Sequence, residues 1–303
     1  MSGKTVLVTG ATHGLGYETA LAVAKRAGNV IITARDRELG NATVKKIKSE
    51  TRNQNLTFFQ VDFTLLASIR AFAAEFLTKY PKLDVLVNNI GRSNGKRLMT
   101  ADGFEEVFQV NVLGPILLTR LLLPALKSAV PSRIVFVGSD AHKFGKIEFD
   151  NLMSERHFGS WINYASTKLG VMMCAMELAE QLEGSGVTLN IAHPGGVRTN
   201  LWNSSGLGGK LIGIFGAPFM VSAEVGAQTQ IYLATSPEIE GKSGGYYAKC
   251  KPAQLSATAL DKALRKKLWD RCSEMLQLPS ALTEASQVAR FAPAKQPEHL
   301  VEI

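Results

Sequence analysis

Strand-like and helix-like runs alternate along this chain, and that alternation restricts its fold more than any other feature. Short β-branched runs stand at 5–9 (TVLVT), 29–34 (NVIITA), 56–61 (LTFFQV), 83–88 (LDVLVN), 133–138 (RIVFVG) and 187–192 (VTLNIA), with a further short run, GGYYA, at 244–248. Between them lie segments with apolar residues at helical spacing, such as YETALAVAKRA and SIRAFAAEFLTKY, rather than turns fit for hairpins. Long crossovers require parallel pairing, and runs apolar on both faces suit strands covered by helices on each side. The expected fold is a single α/β domain, a doubly wound parallel sheet of about seven strands with helices on both faces (a Rossmann fold). Ligands of such sheets bind beyond the carboxyl ends of the strands, so chemistry is to be sought just after each run.

With 303 residues, 46% of them hydrophobic, the chain can bury a sizeable core. The domain is read as residues 1–288, and 289–303 as a flexible tail without periodicity. The stretch 195–221 is rich in Gly, Ser and large apolar residues and has no clean period. It reads as a substrate lid, with Trp202, Leu211, Ile212, Phe215 and Phe219 facing a hydrophobic ligand. Cys174, Cys250 and Cys272 lie far apart without metal-ligand spacing, so no metal site is expected and a reducing compartment is the simpler reading. The net charge of +8 comes from basic residues scattered among acids, which argues against a nucleic-acid partner. The apolar runs are interrupted by Arg120 or too short to span a bilayer, and no amino-terminal signal stands before Lys4. A cytoplasmic protein is expected, with peripheral membrane contact and a homodimer left open.

Directly after the first strand, TGATHGLG places Gly10, Gly14 and Gly16 between a strand and a helix. Glycines there let the backbone approach a pyrophosphate, whose charge meets the amides and positive dipole of the helix start. No Lys-Ser or Lys-Thr follows, which argues against a nucleoside-triphosphate loop. Further on, NNIG ends the fourth strand, GS the fifth, and YASTK sets Tyr164 and Lys168 four residues apart. A Tyr/Lys pair at that spacing is by itself an ordinary helix face, a serine after a strand an ordinary cap, and a buried asparagine an ordinary backbone partner. Together and in this order they resemble the short-chain dehydrogenase/reductases, from about Thr5 to Tyr247. ARDRELG, DAHKFG, HPGGVRTN and GAQTQIYLA are most similar to the retinol-dehydrogenase-like branch of that family.

The resemblance implies a nicotinamide cofactor and a catalytic set of Asn111, Ser139, Tyr164 and Lys168. Hydride transfer to a carbonyl carbon needs a matching proton at the oxygen. Tyrosine, with a pKa near 10, needs a neighbouring ammonium to serve as base, and Lys168 is expected to lower it. Ser139 would orient the substrate oxygen and Asn111 hold a proton relay. Implied cofactor contacts are Gly10, Thr12, His13, Gly14, Leu15 and Gly16 in the loop, with Asp62, Phe63, Asn89 and Gly91 after strands three and four. Tyr164, Lys168, Pro194, Gly195, Val197 and Thr199 complete them. Asn88 stands in the NNIG turn with Gly91, and Ile90 replaces the family's usual alanine.

Strand two ends Thr33-Ala34-Arg35. A carboxylate there would take the ribose of NAD, whereas an arginine fork suits the 2′-phosphate of NADP. Arg35 favours NADP(H), and Asp36 would favour NAD if the strand ended one residue later. His142, in the insert between Ser139 and Tyr164, reads as structural. The expected function is an NADP(H)-dependent oxidoreductase that moves a hydride between nicotinamide and the carbonyl or alcohol carbon of a hydrophobic small molecule. The rival readings are a non-catalytic cofactor-binding sensor or scaffold and a peripheral membrane module on the same fold.

Overall fold

The computed structural model describes residues 1–197 and 221–282. Most of the expected lid and all of the expected tail lie outside the described residues. Seven strands, β1 (Thr5–Thr9), β2 (Asn29–Ala34), β3 (Leu56–Gln60), β4 (Val85–Asn88), β5 (Ser132–Val137), β6 (Val187–His193) and β7 (Tyr246–Ala248), run parallel. An eighth, β8 (Lys251–Pro252), pairs antiparallel with β7, and the sheet order is β3-β2-β1-β4-β5-β6-β7-β8. The expected count of about seven misses only β8. That strand is two exposed residues, one of them proline, and carries no hydrophobic signal.

The connecting helices are α1 (Gly14–Lys25), α2 (Arg37–Thr51), α3 (Leu66–Lys79), α4 (Glu106–Phe108), α5 (Gly114–Lys127), α6 (Ser160–Gln181), α7 (Ala223–Thr235), α8 (Ala257–Leu260) and α9 (Lys262–Met275). Alternating strand residues feed opposite faces of the sheet. Leu7, Ile31, Leu86 and Ile134 join one buried cluster with Phe72 and Phe76 of α3, Leu117 of α5 and Met172 of α6. Val6, Val8, Val30, Ile32 and Val87 join the other, with Ala20 and Val23 of α1, Ile47 of α2 and Leu233 of α7. Each fully buried Leu or Ile contributes roughly 1.5–3 kcal/mol against the entropy of ordering the chain.

The stretch Glu106–Lys127 is long and apolar enough to cross a membrane, but its apolar window is 94% buried inside the fold. The interrupting charge, Arg120, is itself buried: its guanidinium lies 5.2 Å from the centre of the Trp269 ring and donates to Ser273 Oγ at 3.1 Å and to the Pro279 carbonyl. Burial lowers its pKa to about 10. Between α4 and α5, Gln109–Leu113 forms a π-turn in which Gly114 N–H donates to Gln109 O. The strand order reverses between β1 and β4, which opens a crevice at their carboxyl ends.

Candidate active site

The glycine loop leaves β1 and folds back on β2, with Gly10 and Ala11 N–H donating to Thr33 O at 3.0 and 3.3 Å. Gly16 permits the closest approach: a Cβ there would stand 2.5 Å from both Asn89 Nδ2 and Gly10 O. Asn89 locks the crevice from the other side, donating from Nδ2 to Thr9 O at 2.8 Å and to Gly10 O at 3.1 Å. Its backbone N–H also donates to Thr9 Oγ1 at 3.0 Å. His13 caps α1 without a side-chain bond, and Thr12 Oγ1 lies 3.1 Å from His13 Nδ1. The first-turn amides of Gly14, Leu15 and Gly16 and the positive helix end are therefore available to an anion.

At the β2 edge, Asp36 Oδ1 accepts from Leu39 N–H at 2.8 Å and caps α2. Its use as a cap leaves the exposed Arg35 as the group that extends from the strand end. Arg37, which the sequence reading missed, donates from Nε to Gln60 Oε1 at 3.1 Å, and Gln60 Nε2 donates to Arg35 O at 2.9 Å. Arg35 and Arg37 thus flank the Asp36 cap just beyond the carboxyl end of β2. Asp62 Oδ1 accepts from Thr64 N–H and Oγ1 at 2.9 and 2.7 Å, which fixes its carboxylate at the end of β3. The Phe63 ring is 4% exposed and packs in the core against α5. The Phe63 carbonyl accepts from Gln109 Nε2 at 3.3 Å. Asn88 is likewise internal, donating to Thr119 Oγ1 at 2.8 Å.

The four expected catalytic residues converge beyond β4 and β5. Ser139 begins a short 3₁₀ turn, Asp140–Phe144, and its Oγ accepts from Ala141 N–H at 3.2 Å. Tyr164 and Lys168 lie one turn apart on α6, are 6% and 5% exposed, and the Lys168 Nζ stands 5.8 Å from the tyrosine ring centre. Tyr164 is hydrogen-bonded to Ser139, and Lys168 Nζ donates to Val137 O at 3.0 Å. Asn111 sits in the π-turn and is fully used: Oδ1 accepts from Arg92 N–H at 2.8 Å, and Nδ2 donates to Arg92 O at 2.9 Å and Thr167 Oγ1 at 3.0 Å. It therefore holds the turn containing Gly91, where a Cβ would stand 3.4 Å from Lys168 Nζ.

One expectation is reversed. Burial, eased by the Ser139 hydrogen bond, pushes the Tyr164 pKa up to about 12, and burial alone brings Lys168 down to about 8. Desolvation thus dominates the tyrosine's proton affinity, and the phenol holds its proton at neutral pH.

After β6, Pro194, Gly195 and the buried Val197 approach α7: Pro194 O and Val197 Cγ2 are 3.2 and 2.5 Å from where a Gly226 Cβ would be. Val197 pairs with Val221. Thr199, Trp202, Leu211, Ile212, Phe215 and Phe219 lie outside the described residues. The sequence reading missed an aromatic row that leads outward from the tyrosine. The Tyr164 and Trp161 rings are 6.3 Å apart, as are those of Trp161 and Phe144. Trp161 is 41% exposed and Phe144 64%. The three-residue spacing of Trp161 and Tyr164 on a helix was the available signal. Among the described residues no His, Cys, Asp and Glu side chains cluster as a metal site.

The short chain dehydrogenase family model matches residues 4–208. Retinol dehydrogenase 14 of Homo sapiens is 42% identical over 294 residues, covering 92% of this chain and 88% of that protein. Retinol dehydrogenase 11 of Homo sapiens is 40% identical, covering 92% of this chain and 87% of that protein. Among solved structures, an uncharacterized protein from Mycobacterium Paratuberculosis has a TM-score of 0.75 at 28% identity, covering 91% of this chain and 94% of that one. The Pseudomonas aeruginosa RhlG/NADP active-site complex shares the fold with a TM-score of 0.66 at 23% identity, covering 88% and 97%. From its family match and its relatives, this chain belongs to the short chain dehydrogenase family, oxidoreductases acting on alcohol and carbonyl groups.

Proposed function

We propose that this protein is an NADP(H)-dependent reductase of hydrophobic aldehydes or ketones. The observation that carries the reading is the buried Tyr164–Lys168 pair with Ser139 beside it at the carboxyl edge of the sheet. The glycine loop, the uncapped start of α1 and the carboxylate of Asp62 fit a dinucleotide, and Arg35 and Arg37 fit a 2′-phosphate. When bound, the nicotinamide supplies the hydride.

The chain's own residues manage the oxygen. Ser139 Oγ–H orients the carbonyl by hydrogen bonding to it. Tyr164 gives its proton to that oxygen as the carbon–hydrogen bond forms, leaving a phenolate. Lys168 stabilises that phenolate, since a pKa of about 8 keeps most of its ammonium charged at neutral pH. A phenol held protonated by burial is ready to donate to a carbonyl oxygen. Trp161 and Phe144 provide apolar surface for a bulky substrate next to the reacting oxygen. The retinol dehydrogenases among its relatives support a large apolar substrate class. The three cysteines are free, in keeping with a reducing compartment.

The test is a panel of short and long apolar aldehydes and ketones, assayed by NADPH and NADH consumption. NADPH-dependent turnover that increases with substrate apolar size is expected. Cofactor binding with no turnover across the panel would leave a non-catalytic binding protein, and a preference for NADH would refute the cofactor assignment.

A further inference from the structure

His142 has no role in the chemistry above, yet it holds the backbone from which Ser139 projects. Its side chain is 1% exposed. Nδ1 lies 2.8 Å from Ser139 O, and Nε2 lies 3.1 Å from the backbone nitrogen of Ser256. A backbone N–H can only donate, so Nε2 must present its lone pair, and the ring proton then sits on Nδ1 and is donated to Ser139 O. Both partners require the neutral ring, because a proton on Nε2 would face the Ser256 N–H.

The surroundings suit that form. Asp140 and Lys143 flank the ring on its own turn, while His193 of β6 and Tyr246 of β7 face it from the sheet, the Tyr246 ring centre being 5.7 Å away. Asp140 is engaged elsewhere, with Lys143 Nζ at 3.0 Å, the Tyr246 hydroxyl at 2.9 Å and His193 Nε2 at 3.6 Å. Burial outweighs its attraction and holds the His142 pKa below the ordinary histidine value.

Ser139 has little freedom apart from this anchor. Its carbonyl also accepts from His142 N–H at 3.1 Å, and its Oγ takes Ala141 N–H. The turn ends at Gly145, where a Cβ would stand 2.4 Å from Ala165 O, one residue beyond Tyr164. Any shift of the turn therefore moves Ser139 relative to the tyrosine. At the far end of the bridge, Ser256 caps α8, and Ala253 N–H donates to Tyr246 O at 2.8 Å.

We propose that His142 is a positioning residue which, as the neutral Nδ1–H tautomer, sets the place of Ser139 Oγ beside Tyr164 through one ring nitrogen and tethers the 253–260 segment through the other. The proposal rests on the reading of Ser139 as the group that orients a carbonyl.

Two substitutions separate the ring's two bonds. His142→Asn places an amide nitrogen near Nδ1 and keeps a donor for Ser139 O. His142→Gln places an amide oxygen near Nε2 and keeps an acceptor for Ser256 while losing the serine. Both are compared with wild type for kcat and KM on a turned-over carbonyl with NADPH, for NADPH affinity by fluorescence, for Tm, and for amide exchange across 253–260. NADPH affinity should be unchanged in both. His142→Gln should lose roughly 10- to 100-fold in kcat, the scale of a misplaced orienting group. His142→Asn should hold kcat within about twofold but exchange faster at Ser256, since only that anchor is lost. Wild-type kcat in His142→Gln, or equal kcat losses in both variants that track their Tm, would overturn the positioning role. Wild-type protein that binds NADPH but reduces no carbonyl would overturn the Ser139 reading and this proposal with it.

Discussion

The two ends of the crevice are built on opposite principles. At the acid/base end, Asn111, Tyr164 and Lys168 are 2%, 6% and 5% exposed, and Asn111 and Lys168 are bonded to backbone carbonyls. At the other end Arg35 and Arg37 are exposed and reach outward from the start of a helix. Moving a proton on cue requires groups whose proton affinity the protein can shift, and burial is what shifts it. Recognising a phosphate requires charge and reach, which the surface supplies without disturbing the core. Changes at the first end should therefore alter rate, and changes at the second should alter cofactor choice.

The largest effect tests the buried end. Tyr164→Phe should lower kcat by roughly 10³-fold while leaving NADPH affinity within a fewfold, read by steady-state kinetics and fluorescence titration. Turnover near the wild-type rate would remove the tyrosine from the chemistry. Next, Arg35→Ala should cut kcat/KM with NADPH by roughly 10- to 100-fold, the worth of a charge-assisted phosphate contact, and barely change it with NADH. Equal losses with both cofactors would mean that the exposed end does not discriminate.

Smaller still, Phe144→Ala should raise KM several-fold for long apolar carbonyls and leave short ones unaffected. The smallest effect is on stability. Lys168 has a folded pKa of about 8, below the roughly 10.4 of an unfolded lysine. The unfolded chain thus binds more protons there between pH 8 and 10, and stability at this residue rises with pH across that window. Ligand-free wild type should gain a few degrees in Tm over Lys168→Met between those pH values; parallel curves would refute the shift.

The parallel α/β architecture was legible because short apolar runs alternate with helical periods, whereas the catalytic set was named from the family resemblance and not from any one local signal. What escaped the sequence depends on contacts made at a distance. Arg37 is a charge at the start of α2 whose partner, Gln60, is contributed by β3. The proton affinity of Tyr164 was misjudged for the same reason, since the spacing displays Lys168 but not the desolvation that prevails. Arg120 looked like an interruption, whereas Trp269 and Ser273 make it part of the core.

The π-turn at Gln109–Leu113 adds a constraint on how this chain can change. Successive residues of an α-helix are about 100° apart. Deleting one residue to restore regular α geometry would swing Asn111 off Arg92 or, if Asn111 stayed put, rotate Thr119 away from Asn88. The wide turn thus works as a phase adjuster between two helix faces that must each be in register. Insertions and deletions that a surface helix would absorb should be lethal to activity in this short window.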